Sequence, residues 1–337
     1  MNYDAILVTS FGGPEGPDEV MPFLENVLRG KNVPRERMLE VAQHYYHFGG
    51  KSPINGQNRQ LIAALEIELA QHGPRLPIYW GNRNWRPMLA DTLAKMKADG
   101  VRRALAFVTS AYSSYSSCRQ YREDIARAQD AVGEGAPVVD KIRIFHNHPG
   151  FVEAVTDRAQ AAFARIPAER RKSAHLVYTA HSIPTMMAQG CDYEKQLRET
   201  GRLVAEALRH DNWQLVYQSR SGPASQPWLE PDVLDCLREI KVPGGSSDVV
   251  IAPIGFVSDH MEILFDLDTQ ARELCGELGL NMVRARTVGT HPRFIRMIRE
   301  LVLERTEESL ARPALGVLGV RPDFCSAECC PSGRPNR

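Results

Sequence analysis

The 337-residue sequence contains no apolar run approaching the ~20 residues that a membrane-spanning helix needs. Its start, Met1-Asn2-Tyr3-Asp4, has neither the basic segment nor the apolar core of a secretory signal. Net charge is missing as well: 41 Lys and Arg balance 41 Asp and Glu, which argues against binding nucleic acid through a broad basic face. No Gly-x-Gly-x-x-Gly follows the first apolar run, where Phe11-Gly12-Gly13-Pro14-Glu15-Gly16 stands instead. No Walker-type loop occurs either, so a phosphate-cradling turn is not expected. Seven cysteines, an odd number without an export signal, do not suggest a disulfide framework. These absences leave a cytoplasmic protein with no membrane anchor as the expectation.

What is present is ordinary globular composition, 43% hydrophobic and 24% charged, in a chain long enough for two domains or one large α/β unit. Short apolar runs at 4–9, 77–81 and 104–109 alternate with helical spacing at 60–71 and 87–98. That order implies parallel strands joined by right-handed crossovers. The second half repeats the design. Strands are predicted at 174–179, 214–218, 248–254 and 281–284. Helices are predicted at 150–165, 193–208, 229–239, 264–278 and 292–309. The segment 133–149 crosses between the halves. Beyond Arg312 the composition turns to Pro, Gly and Cys, a tail without its own core. The expected domains are 1–148, 149–312 and the tail 313–337.

Two stretches carry chemistry. Thr179-Ala180-His181-Ser182-Ile183-Pro184 follows one buried strand, and Ser258-Asp259-His260-Met261-Glu262 follows another. Ligand sites in open α/β sheets gather beyond the carboxyl ends of strands, so His181 and Glu262 can face one crevice. Imidazole titrates near neutral pH, and an imidazole–carboxylate pair suits both proton abstraction and divalent iron. A lone histidine after a strand is more often structural; the matched carboxylate is what lifts His181 above that reading. Ser258 as a helix N-cap would explain part of the second stretch without requiring Glu262. Glu262 and Asp266 are four apart on one helical face and would repel unless a metal or proton path lay between them. Asp266 and Asp268 read equally well as a solvated acidic face.

Six stretches taken together resemble a known family. They are Ser10-Phe11-Gly12-Gly13-Pro14, Phe48 to Ile54, Gly81-Asn82-Arg83-Asn84-Trp85, Thr179 to Pro184, Gln218 to Pro223 with Pro227-Trp228-Leu229, and Ser258 to Asp268. In this order, from about Tyr3 to about Glu304, they resemble the ferrochelatases, and most of all the actinobacterial coproporphyrin III branch of that family. The resemblance implies two Rossmann-like, doubly wound domains of similar topology enclosing a porphyrin cleft. It implies a lyase-type metal chelatase that inserts Fe2+, as substrate, into coproporphyrin III to give coproheme. The rivals are a protoporphyrin IX ferrochelatase, a related cobalt or nickel chelatase, and a non-catalytic haem-binding redox sensor.

The resemblance also assigns residues. His181 becomes base and iron ligand, and Glu262 its partner. Ser52, Tyr121 and Arg29 become porphyrin contacts. His44 stands where some relatives have an arginine, and Phe11 where some have a tyrosine under the iron, so an axial oxygen ligand is not expected. The position eight residues after Glu262 is Gln270, which shortens the acidic ladder that relatives often carry. Three cysteines crowd the tail, Cys325, Cys329 and Cys330. With Cys118, after the third strand, they match the positions that hold a [2Fe–2S] cluster in several ferrochelatases. Cys191, Cys236 and Cys275 read as buried or helix-face cysteines. The expected partners are the porphyrin and neighbouring haem-pathway enzymes, around a monomer.

Overall fold

The structure is a computed structural model, described here for residues 2–30, 33–223, 225–240, 247–307 and 310–333. Two four-stranded sheets, all parallel, build it. The first holds β1 (Ala5–Ser10), β2 (Ile78–Asn82), β3 (Arg103–Val108) and β4 (Val138–Lys141), in the order β2-β1-β3-β4. The second holds β5 (His175–His181), β6 (Trp213–Gln218), β7 (Asp248–Ala252) and β8 (Asn281–Arg284), in the order β6-β5-β7-β8. The two orders are the same, so each half is a Rossmann-like α/β unit. β1 and β7 are buried along their whole length, as strands covered by helices on both faces must be.

Eleven α-helices are described: α1 (Pro17–Leu28), α2 (Arg35–His47), α3 (Ile54–His72), α4 (Leu89–Ala98), α5 (Gln120–Val132), α6 (Pro149–Phe163), α7 (Thr185–Gln189), α8 (Tyr193–Leu208), α9 (Val233–Ile240), α10 (Arg272–Leu278) and α11 (Pro292–Thr306). Two π-helical segments, Tyr115–Arg119 and Ile263–Ala271, precede α5 and α10. α6 and α11 start alike. In each, a His-Pro pair puts proline in the first turn, and the imidazole Nδ1 of His148 or His291 accepts an N–H two residues on.

Several elements differ from the sequence expectation, the short α7 among them. α1 is interrupted by Pro22, α2 buries only Met38 and Ala42, and α5 carries Tyr121, Ile125 and Ala128 at a helical spacing that the sequence reading passed over. β4 lies inside the segment expected to cross between the halves. At four residues with an exposed start it offers little apolar signal. The last helix ends at Thr306; Glu308 and Ser309 lie outside the described residues.

The halves share one core. Phe107, Phe145, Phe151 and Phe294 stack or meet edge-on between the sheets, with centroids 5.5–6.2 Å apart. Polar pins cross the same boundary. Tyr112 donates to the Ile254 carbonyl at 3.0 Å, and the Gln196 amide exchanges bonds of 2.8 and 2.9 Å with Ser113. The tail is docked rather than loose. The Asn147 amide donates to the carbonyls of Leu315 and Gly319 at 3.0 and 2.9 Å, and Arg321 pairs with Asp192 at 2.9 Å. A tail without a core of its own is thus held by hydrogen bonds and an ion pair, with Leu315 packed against the core of the body.

Candidate active site and thiol cluster

In the order β6-β5-β7-β8 the winding of the sheet reverses between β5 and β7, the switch point beyond whose carboxyl ends open α/β sheets hold their ligands. His181 is the last residue of β5. The loop after β7 carries Glu262 to it. This loop lies so close to β5 that a Cβ on Gly255 would sit 2.6 Å from Ala180, so only glycine fits there. The Gly255 N–H donates to the Thr179 carbonyl at 3.0 Å and fixes the approach.

His181 Nε2 then lies 3.6 Å from Glu262 Oε1, while His260 Nε2 lies 3.8 Å from Glu262 Oε2. Both separations are charge contacts, longer than hydrogen bonds. The tautomers follow from the partners. His181 Nδ1 faces the Ser182 carbonyl, which can only accept, so Nδ1 carries a proton and Nε2 is the working atom. His260 Nδ1 accepts the Ile263 N–H at 3.3 Å, so its Nε2 carries the proton and points it at Glu262.

The charges settle accordingly. Burial disfavours a charged His181, but the Glu262 carboxylate outweighs it and raises the imidazole to about 9. Burial likewise opposes ionising Glu262, yet His181 holds it down at about 2. At neutral pH the two form an imidazolium–carboxylate pair. Burial, with the His181 charge, lowers His260. Asp266, raised by burial to about 6, accepts from Ser219 Oγ and, at 3.1 Å, from the Gln218 amide. Ser219 makes this bond from a left-handed backbone, φ 62°, at the end of β6. From the other half, the Tyr45 ring lies close enough for the Glu262 charge to raise its hydroxyl, behind a larger effect of burial.

The structure corrects two readings and keeps a third. Ser258 caps nothing: its hydroxyl is buried without a hydrogen-bond partner, and the capping acceptor is His260. Glu262 and Asp266 stay neighbours although the segment is π-helical: the Glu262 charge adds to the burial that raises Asp266, and Asp266 also accepts from Ser219 Oγ. Asp268 is no solvated acid: Arg284 binds it at 2.7 and 2.9 Å and Asp259 at 3.3 and 3.4 Å.

The expected porphyrin contacts are dispersed. Ser52 and Tyr121 are buried, at 3% and 4% exposure, so neither offers a free face. Arg83 covers the Tyr121 ring at 4.5 Å and pairs with Asp124. Phe11, just past the end of β1, is exposed, and the same Arg83 lies 5.9 Å from its ring. Arg29 is exposed at the end of α1. His44 is engaged across the halves: its ring stacks on Phe265 with centroids 3.6 Å apart. The sequence reasoning passed over His260, Tyr45, Ser219 and Arg284. His260 alone had a signal, two residues before Glu262 in the same stretch.

The cysteines gather in a second place. All seven are free thiols. Cys118 is buried in the first π-helical segment, and Arg122, one turn on, donates to the carbonyls of Cys325 and Ser326 at 3.2 Å each. Cys329 and Cys330 have sulfurs 3.4 Å apart. Burial raises the Cys325 and Cys330 thiols, and the neighbouring thiols, Cys118 and Cys329 among them, add to it. Among the described residues, no group of three or more His, Cys, Asp or Glu surrounds a position for one metal ion.

The chain is similar to known proteins along nearly its whole length. A family model described as "Ferrochelatase" matches residues 3–306. A "Ferrochelatase" of Rhodopirellula baltica is 61% identical, covering 97% of this chain and 93% of its own. A "Coproporphyrin III ferrochelatase" of Streptomyces coelicolor is 51% identical, covering 99% and 94%. One from Nocardia farcinica is 49% identical, covering 99% of both chains. Among solved structures, a sirohydrochlorin chelatase of Bacillus subtilis with cobalt superposes with a TM-score of 0.55 at 12% identity, over 91% of this chain and 97% of that one, a likeness of fold.

Proposed function

The chain belongs to the ferrochelatase family, and we propose that it inserts ferrous iron into coproporphyrin III in the crevice where His181 faces Glu262. Metallation forms four iron–nitrogen bonds and releases two pyrrole N–H protons, with no change of oxidation state. The observation that carries the reading is the ion pair itself. Its two groups sit at a strand-end crevice, and one titrates above neutral pH while the other stays ionised. His181 Nε2 gives up its proton and then accepts one from a pyrrole, while Glu262 holds the ring's charge and draws the incoming cation. Asp266, near neutrality, is the next acceptor outward through Ser219.

Cobalt or nickel insertion is the second reading, favoured by the second imidazole at Glu262 and the fold likeness to a chelatase bound to cobalt. His260 counts against it. Its Nδ1 lone pair is taken by Ile263 and its Nε2 carries a proton, so no nitrogen is left for a metal.

Coproporphyrin is preferred to protoporphyrin because relatives at about half identity over full length carry that name. Coproporphyrin has two more propionates, and each charge-assisted hydrogen bond contributes roughly 1.5–3 kcal/mol. With ferrous iron in one anaerobic buffer, kcat/KM should favour coproporphyrin III by about tenfold or more. Arg29→Ala should raise KM more than it lowers kcat, since a propionate contact serves ground and transition states alike. A preference for protoporphyrin overturns the substrate while leaving iron insertion intact. The same reading places the enzyme in the cytoplasm as a monomer, handing coproheme to the neighbouring haem-pathway enzyme, with the halves meeting between His148 and Pro149.

Cys118, Cys325, Cys329 and Cys330 would hold a [2Fe–2S] cluster. Such a cluster spreads four thiolates over two irons, which suits thiols that converge without surrounding one point. When bound it supplies a rigid, redox-active link between tail and body; metal insertion itself moves no electrons. Protein prepared without oxygen should be red-brown with about two irons per chain, and chelating them should lower Tm. Colourless, iron-free protein of full activity counts against the cluster, and stoichiometric zinc points to a structural zinc site instead.

A further inference from the structure

The Glu262 carboxylate meets its two imidazoles at 3.6 and 3.8 Å, too far for hydrogen bonds to hold it in place. Its position is therefore set by the backbone that carries it. That backbone, 259–265, belongs to the second half, yet the first half holds it at both ends.

At one end, the Asp259 N–H donates to Gln57 Oε1 at 2.9 Å. Gln57 stands half-buried in the first turn of α3, and that turn is itself pinned. The fully buried Asn55 amide donates to the Gly13 and Arg86 carbonyls at 3.1 and 3.2 Å, and its Oδ1 accepts from Asn82 at 3.2 Å. The acceptor is thus tied to the loops that follow β1 and β2. From the second half, Arg284 holds the Asp259 side chain at 3.3 and 3.4 Å. At the other end, the Phe265 ring stacks on His44 of α2, with planes 13° from parallel and centroids 3.6 Å apart. Glu262 lies midway, three residues from each anchor.

We propose that Gln57 and His44 are positioning residues for metal insertion: from the first half they clamp the segment that presents Glu262 to His181. The inference rests on the reading above for the reaction, though not for the geometry. Neither residue touches the reacting atoms. Gln57 acts through the Asp259 backbone, and His44 acts through Phe265 rather than as a propionate contact. Losing either lets Glu262 shift away from Nε2, and a shift of about 1 Å at such a site can cost about 10²-fold in rate.

Two variants remove a clamp, Gln57→Leu and His44→Ala. Two keep it: Gln57→Glu retains an acceptor oxygen at the same reach, and His44→Phe retains a ring that stacks. The full chain is assayed with ferrous iron and coproporphyrin III, and the His181 imidazole is titrated by NMR without substrate. Gln57→Leu and His44→Ala should lose about tenfold or more in kcat with a smaller change in KM. Their His181 should titrate below the wild-type value of about 9, since the carboxylate that raises it has moved off. Gln57→Glu and His44→Phe should recover most of both. In a Glu262→Gln background, Gln57→Leu should leave the His181 titration unmoved, because the effect passes through that carboxylate; a general loosening of the fold would still move it. Circular dichroism confirms folding, and Gln57→Met replaces Gln57→Leu if that variant is unfolded. Wild-type kcat and an unmoved titration in Gln57→Leu and His44→Ala overturn the proposal. A KM raised equally in His44→Phe and His44→Ala, with kcat kept, makes His44 a propionate contact and overturns its half of the clamp. A wild type that inserts no iron overturns the reaction, while the titration still decides the positioning.

Discussion

His181→Ala should lower kcat by about 10²–10⁴, the usual range for removing a positioned base, while porphyrin still binds. The reason is local. His181 ends β5 with its Nδ1 fixed by the Ser182 carbonyl and its own carbonyl held by Tyr193 at 3.0 Å. Removing the ring therefore takes away one acceptor and leaves the crevice. Glu262→Gln keeps the shape but removes the charge that raises His181. Burial, which lowers the imidazole, is then opposed only by the Ser182 carbonyl and the Asp266 charge. A change in pH profile follows, with a definite sign. In the wild type Nε2 is blocked by a proton until the pH approaches about 9, so kcat/KM should climb up to that region. In Glu262→Gln the rising limb should move to lower pH, although turnover drops by roughly 10²-fold. Insertion rates across pH 6–10 for the three proteins make the comparison. A limb that stays put in Glu262→Gln, or near-normal turnover in both variants, removes the pair from the mechanism.

That pair was legible in the sequence because both groups follow continuous apolar runs, and burial on both faces is what makes such runs. The repeated order of the sheets was legible for the same reason. The helices over the crevice were not. α2 is polar over most of its length and has only Met38 and Ala42 buried, so no apolar stripe announces it. Yet it supplies the Tyr45 beside Glu262 and the His44 stacked on Phe265. The π-helical segment was also hidden. Its composition is that of a helix, and the wider winding leaves no mark on hydrophobic spacing. Arg284 pairs with Asp268 across sixteen residues of chain, a match that only the folded crevice brings about. The tail misled differently. Composition correctly denied it a core, but its anchors are backbone carbonyls and one-sided ion pairs that composition does not register.

Arg143→Met should destabilise the fold by about 3–5 kcal/mol, the cost of breaking a buried ion pair from one side. The Arg143 and Glu304 side chains are 0% and 1% exposed and meet through two bonds, 2.7 and 2.8 Å long. Arg143 also donates to the Pro313 carbonyl at 3.0 Å, so one guanidinium joins the segment after β4, the last helix and the start of the tail. Without it, Glu304 keeps only a looser contact with Arg312 at 3.5 Å, in a place that water does not reach. The carboxylate must then be buried with little compensation or take up a proton. Arg143→Met/Glu304→Met removes both charges and conserves most of the volume, so it should regain most of the loss. Urea unfolding of the three proteins measures this. If the single variant costs less than about 1 kcal/mol, the pair is a surface-like contact and not the joint described. If the double variant is as unstable as the single, the penalty lies in lost packing or in the Pro313 bond rather than in a stranded charge. That outcome would move the tail's anchorage from electrostatics to the backbone contact. The tail cysteines begin twelve residues beyond Pro313, so loosening this joint should also free Cys325, Cys329 and Cys330 from the body. Iron content and stability should therefore fall together in Arg143→Met and recover together in the double variant.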